Sequence, residues 1–163
     1  MSALRRILAS LLLLALLAPA ARAGEAGALD AAGLRKLVAD ATAAGAVAVV
    51  NYWATWCGPC RDEMPHLRAL RREFRADELF LVGVSLDLDE ASYRAFVRSH
   101  PFGYPTAFGG ERLMEELGVR AIPRTEIYAP GGALHKVYDG QVDEGALRRE
   151  IKSLLRRGAG GRP

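Results

Sequence analysis

Two short apolar runs, VAVVNY at 47–52 and LFLVGVSL at 79–86, constrain the fold of this chain more than any other feature. Neither alternates with polar residues, so neither keeps a face for water. Both suit strands buried on two sides. Between them, from about Cys57 to Arg75, Met64, Leu67, Leu70 and Phe74 recur every three or four residues, the period of a helix. Pro65 falls inside that helix and is predicted to kink it. A strand, a helix and a strand, with a crossover this long, give a parallel pair.

The rest of the chain extends this unit. Residues 30–44 read as a helix capped by Asp30, with Leu34, Leu37, Val38 and Ala41 as its apolar stripe and Gly45 as its stop. A helix is expected at Glu90–Ser99, an extended piece at 104–108, and a short helix at Gly110–Leu117 closed by Gly118. TEIYA and ALHKVY flank Pro130-Gly131-Gly132 as a hairpin, and Leu147, Ile151, Leu154 and Leu155 mark a last helix over 144–155. The reading is an α/β domain over 29–156, a mixed central sheet flanked by helices on both faces, with a flexible lead-in at 24–28 and a flexible tail at 157–163. Half the residues are apolar and a quarter charged, enough to bury a core.

The first 23 residues read as a secretory signal peptide. Arg5 and Arg6 precede an apolar run from Ile7 to Leu17, then Pro19 and a small-x-small site ending at Ala23. A spanning helix needs about 20 apolar residues, so an uncleaved anchor is the weaker reading, and no cysteine stands near the site to carry a lipid. The expected location is outside the cytoplasmic membrane, most simply a periplasm, where disulfides persist. Three arginines lie in the leader; without them 19 basic residues face 19 acidic ones. That balance gives no electrostatic case for nucleic acid.

Cys57 and Cys60, the only cysteines, sit where the first strand meets its helix. The first turn of a helix presents free N–H groups and the positive end of its dipole, which stabilise a thiolate. Pro59 needs no N–H there, and Gly58-Pro59 suits a tight turn. A staple closing two residues removes little chain entropy, and structural zinc would need a second pair of ligands beyond His66. A redox pair fits better: Cys57 attacks a disulfide, and Cys60 resolves the mixed disulfide.

WCGPC within VVNYWATWCGPCRDEMP resembles the active site of the thioredoxin superfamily. Asn51 and the downstream Glu63-Met64-Pro65 make it most similar to the TlpA/ResA-like branch of extracytoplasmic thiol-disulfide oxidoreductases, several of which serve cytochrome c maturation. LVGVSLDLD and GVRAIPRTEIYAPGG extend the likeness over roughly residues 30–155. The resemblance implies a thioredoxin-like fold, a cis Pro123 facing the cysteines, and an Ile122 backbone that pairs with an extended substrate segment. Trp56, Gly58 and Pro59 would border that substrate, with Trp53 in the packing. It also implies no cofactor, disulfide-containing protein partners such as apocytochrome c or copper-centre assembly proteins, a membrane electron donor, and a monomer.

The match departs from cytoplasmic thioredoxins at Asn51, which stands where they carry a buried Asp and cannot take a proton. Glu126, on a half-buried strand, and Asp87, at a strand end, are the expected replacements as proton acceptor for Cys60. Arg124, beside Pro123, could tune the site. His66, His100 and His135 read as surface or loop residues. Gly58-Pro59 and Ile122 resemble reducing members, with an oxidase or isomerase as the rival within the class. A copper-binding assembly chaperone using Met64 and His66 is the rival outside it. No Pro-x-x-x-Thr-x-x-Cys motif of a thiol peroxidase is present.

Overall fold

The computed structural model describes residues 28–160. The signal peptide, most of the lead-in and the last three residues of the tail fall outside the described residues. The order is α1 (Ala31–Ala43), β1 (Val47–Trp53), α2 (Gly58–Glu73), β2 (Leu79–Ser85), α3 (Glu90–Ser99), β3 (Thr106–Phe108), α4 (Gly110–Leu117), β4 (Arg124–Tyr128), β5 (Leu134–Asp139) and α5 (Glu144–Gly160). The sheet runs β3-β2-β1-β4-β5. β1, β2 and β3 are parallel, and β4 and β5 join antiparallel. This is the mixed, doubly covered α/β sheet that the apolar runs imply.

The two-residue period of β1 sorts the core. Val47, Val49 and Trp53 point to one side, where they meet Met64, Leu67 and Leu70 of α2 and Leu147, Ile151 and Leu154 of α5. Ala48, Val50 and Tyr52 point to the other, against Leu34 and Val38 of α1 and Leu113 of α4. Every residue of β1 is buried, as expected of a central strand covered on both faces. Leu67 is wholly buried, and its truncation to Ala would cost about 2–5 kcal/mol.

Some local expectations shift. Asp30 caps α1 through the Gly33 N–H at 2.7 Å, but Leu37 is exposed, and the buried stripe runs Ala31, Leu34, Val38 and Thr42. The Thr42 hydroxyl is satisfied by the Val38 carbonyl at 2.8 Å. Pro65 lies within α2, which continues past it to Glu73. Gly118 closes α4 at φ +64°, a conformation that favours glycine. α5 runs on to Gly160, past the end read from its apolar stripe, and Arg157 bonds Ser153 one turn back at 2.9 Å. No described helix is long and apolar enough to cross a membrane.

Candidate active site

β1 delivers the chain through Ala54–Trp56 to Cys57, which caps α2. Cys57 keeps an extended backbone, and its Sγ accepts the Cys60 N–H at 3.3 Å. A sulfur thus takes the place normally held by a capping oxygen. Pro59 sits in the first turn, and a side chain at Gly58 would meet nothing within 4 Å, so the turn is open on that side. The two cysteines are joined in a disulfide, with Cα atoms 5.3 Å apart. Both are largely buried, in the cluster that holds Met64, Leu67 and Val142.

Asp87 holds the approach to the pair. Its Oδ1 accepts the Thr55 N–H at 3.0 Å and the Thr55 hydroxyl at 2.7 Å, and its Oδ2 accepts the Ser85 hydroxyl at 2.7 Å. Both oxygens are spent in pinning the β1–α2 loop to the end of β2. Glu126 is further removed from its expected role. Thr125 shares the face of Asn51, so the next residue of β4 points to the opposite side of the sheet from the cysteines. There Glu126 accepts the Tyr52 hydroxyl at 3.1 Å, the Tyr128 hydroxyl at 2.7 Å and the Arg124 Nε–H at 3.0 Å. Arg124 also binds Asp139 at 2.8 Å. Glu126 thus lies on the sheet face opposite the cysteines, and Asp87 is bonded to Thr55 and Ser85.

A third buried carboxylate, Glu63, lies on the same helix as Cys60. It lies three residues after Cys60 on α2, so the two share a helix face with Cβ atoms roughly 5–6 Å apart. Glu63 is fully buried. Its Oε1 accepts the Asn51 amide and the Thr125 hydroxyl, each at 3.4 Å, while its Oε2 has no partner. Asn51 in turn donates to the Thr125 hydroxyl at 3.0 Å. Burial pushes the Glu63 carboxyl up to about 7, opposed by the Thr125 hydroxyl and the Val142 N–H. The sequence carried a signal for it: a carboxylate on the apolar stripe of Cys60, Met64 and Leu67.

Trp56 stands 64% exposed beside the pair. With Leu86, Leu88, Met114, Ala121 and Ile122 it lines a groove of about 370 Å³, rimmed by Glu111 and Arg120. The Ile122–Pro123 peptide is cis, and the Pro123 carbonyl accepts the Gly140 N–H at 2.8 Å. Trp53 is wholly buried against Phe102, with ring centroids 4.9 Å apart. His66 is exposed, His100 stacks on Phe96 and His135 pairs with Glu150 at 2.9 Å. Among the described residues no three His, Cys, Asp or Glu side chains group as metal ligands would.

The chain is similar to known proteins in sequence and fold. The chain is 30% identical over 112 residues to the thioredoxin-like protein YneN of Bacillus subtilis, covering 67% of this chain and 65% of that protein. It is 28% identical over 108 residues to the thiol-disulfide oxidoreductase ResA of Halalkalibacterium halodurans, covering 66% and 61%. The chain therefore spans somewhat under two thirds of the length of these relatives. Among solved structures, a candidate thiol:disulfide interchange protein DsbE from Chlorobium tepidum superposes with a TM-score of 0.64 at 27% identity, covering 71% of this chain and 83% of that one. StoA from Bacillus subtilis shares the fold with a TM-score of 0.58 at 22% identity, covering 66% and 83%. The sheet, its covering helices and the capping cysteine are thioredoxin-like, and with the AhpC/TSA family model matching residues 23–137, the chain belongs to that family.

Proposed function

We propose that this protein is a thiol-disulfide oxidoreductase that reduces disulfides of proteins outside the cytoplasmic membrane, with Cys57 as nucleophile and Cys60 as resolving thiol. One observation carries the reading: a Cys57–Cys60 disulfide at the first turn of α2, where the Cys60 N–H already points at Cys57 Sγ. That N–H and the helix dipole favour a thiolate on the reduced Cys57. The thiolate attacks one sulfur of a substrate disulfide, forms a mixed disulfide and releases the other sulfur as a thiol. Cys60 then loses its proton to the Glu63 carboxylate and attacks Cys57 Sγ. The substrate leaves with its second thiol, and the Cys57–Cys60 disulfide closes. Two electrons and two protons pass to the substrate, and a dithiol donor must return them.

Glu63 suits the proton step because a group titrating near 7 is half ionised at neutral pH. Asn51 and Thr125 hold its Oε1 and leave Oε2 free. Trp56, Gly58, Pro59, Ile122 and Pro123 border the pair, and the groove along Trp56 and Ile122 accepts an apolar side chain of an extended substrate segment. The signal peptide, the membrane electron donor and substrates such as apocytochrome c or copper-centre assembly proteins belong to the same reading. They are supported by the leader pattern and by the likeness to ResA.

Cys60→Ser tests it. The variant should accumulate mixed disulfides through Cys57 in cells, identifiable by mass spectrometry, and Cys57→Ser should accumulate none. Equal trapping by both would refute the assignment. Direction follows from the reduction potential: about −270 mV supports a reductase and about −120 mV an oxidase.

A further inference from the structure

Among the described residues, three buried side-chain polar atoms have no hydrogen-bond partner: Trp53 Nε1, Tyr104 Oη and Glu63 Oε2. Buried polar groups are rarely left so, and these three fall on one side of one sheet. Asn51, whose amide reaches Glu63, is level with Gly83 on the neighbouring strand, and Trp53 lies two residues further along β1 on the same face. A Cβ at Gly83 would stand 3.1 Å from Trp53 Nε1 and 3.2 Å from Tyr104 Cε2. The indole and the phenol therefore meet over bare backbone, beside the amide that holds Glu63. Phe102 packs edge-on against Tyr104 with centroids 5.4 Å apart, which fixes the ring.

We propose that Tyr104 is a positioning residue for Glu63: its hydroxyl donates to Glu63 Oε2 across one water trapped beside Trp53 Nε1. The inference rests on the reading of Glu63 as the proton acceptor for Cys60. It adds the group that sets the pH at which that acceptor is ready. Tyr104 keeps its own proton throughout. Burial, then the charge of Glu63, hold the phenol above its ordinary range, and Arg68 opposes them weakly. A neutral phenol can only donate to a carboxylate, and a donor on Oε2 favours the ionised form. The other groups acting on Glu63 are the Asn51 amide, the Thr125 hydroxyl and the Val142 N–H, from β1, β4 and the segment before α5.

Tyr104→Phe removes the hydroxyl and keeps the ring. In the oxidised protein, the infrared band of the Glu63 carboxyl, assigned by its loss in Glu63→Gln, should titrate higher in Tyr104→Phe by about one pKa unit, roughly tenfold in the ionisation constant. Tyr93→Phe, which removes a hydroxyl bonded to Thr106 on the same wall, should leave the midpoint in place. An unmoved midpoint in Tyr104→Phe, or an equal shift in Tyr93→Phe, overturns the proposal. Denaturation gives a second readout. Tyr104→Phe should match the parent below the Glu63 midpoint and fall below it in stability above that midpoint. If it is as stable as the parent at both, the hydroxyl makes no bond to the carboxylate. These readouts do not use exchange activity. Normal exchange by Glu63→Gln would sink the proton-acceptor reading while leaving the titration free to decide on Tyr104.

Discussion

The sheet buries a carboxylate on each face, and the two are treated differently. Glu126, on the α1 side, accepts from two tyrosine hydroxyls and an arginine, and that arginine is anchored again by Asp139. Glu63, on the α2 side, has no cation partner among the described residues; it accepts two long hydrogen bonds on Oε1, feels the Val142 N–H, and has no bonded partner on Oε2. A buried charge that is fully paired adds definition to a fold and little reactivity. A buried acid left short of partners is destabilising when ionised, and it is held where its proton is easily exchanged. Both residues are acids in the core; on the proposed reading, their partners decide which serves structure and which serves chemistry.

The sharpest way to break this contrast is to remove each acid in turn. Glu126→Leu leaves the Tyr52 hydroxyl buried without an acceptor, and it should cost about 3 kcal/mol in urea denaturation. The exchange rate of the folded fraction should be unchanged. A shifted pH profile of exchange in that variant would end the distinction. Glu63→Gln should slow resolution of the mixed disulfide about a hundredfold at neutral pH in stopped-flow thiol exchange, with little loss of fold. A parent-like rate would return the proton step to solvent.

The pH dependence of stability has a fixed sign. The folded Glu63 carboxyl titrates at about 7, against an ordinary 4.5. The folded state therefore holds this proton more tightly than the unfolded chain. Its contribution is fully present below about pH 4.5 and is lost as pH rises through about 7. The parent should lose about 3 kcal/mol from this group as pH rises through those limits, and Glu63→Gln should show no such slope. The smallest effect belongs to Asp87→Asn. It weakens one of the bonds that pin Thr55 and Ser85, and should cost about 1 kcal/mol while slowing exchange far less than Glu63→Gln.

The parallel strands, the capping cysteine and the hairpin were legible because each rests on a local pattern: an apolar run, a strand-to-helix junction, a Pro-Gly-Gly turn. The proposed proton acceptor was not, because it depends on which way a side chain points. In RDEMP a single step along α2 separates exposed Asp62 from buried Glu63. Composition shows only a charged stretch; helical phase relative to Cys60 identifies the acid. Glu126 was visible as an odd residue on a strand, but its face follows from the register Asn51–Thr125 across an antiparallel pair. No property of the segment 124–128 alone contains that register. Asp87 was correctly placed at a strand end, and its two oxygens proved committed to the loop.

The groove beside the cysteines is assembled from four separated stretches: the turn at Trp56, the loop at Leu88, α4 at Met114 and the segment at Ala121–Ile122. None of its lining residues is Glu63, Asn51 or Thr125, which bond one another in the buried layer. Of that wall, Trp56 and Leu88 are exposed, whereas Leu86 is buried in the core and Ile122 packs against the cluster that holds the cysteines. On the proposed reading, the size of the side chains at Trp56 and Leu88 is the part of substrate choice that can vary at the surface, while Leu86 and Ile122 tie the rest of the groove to the core.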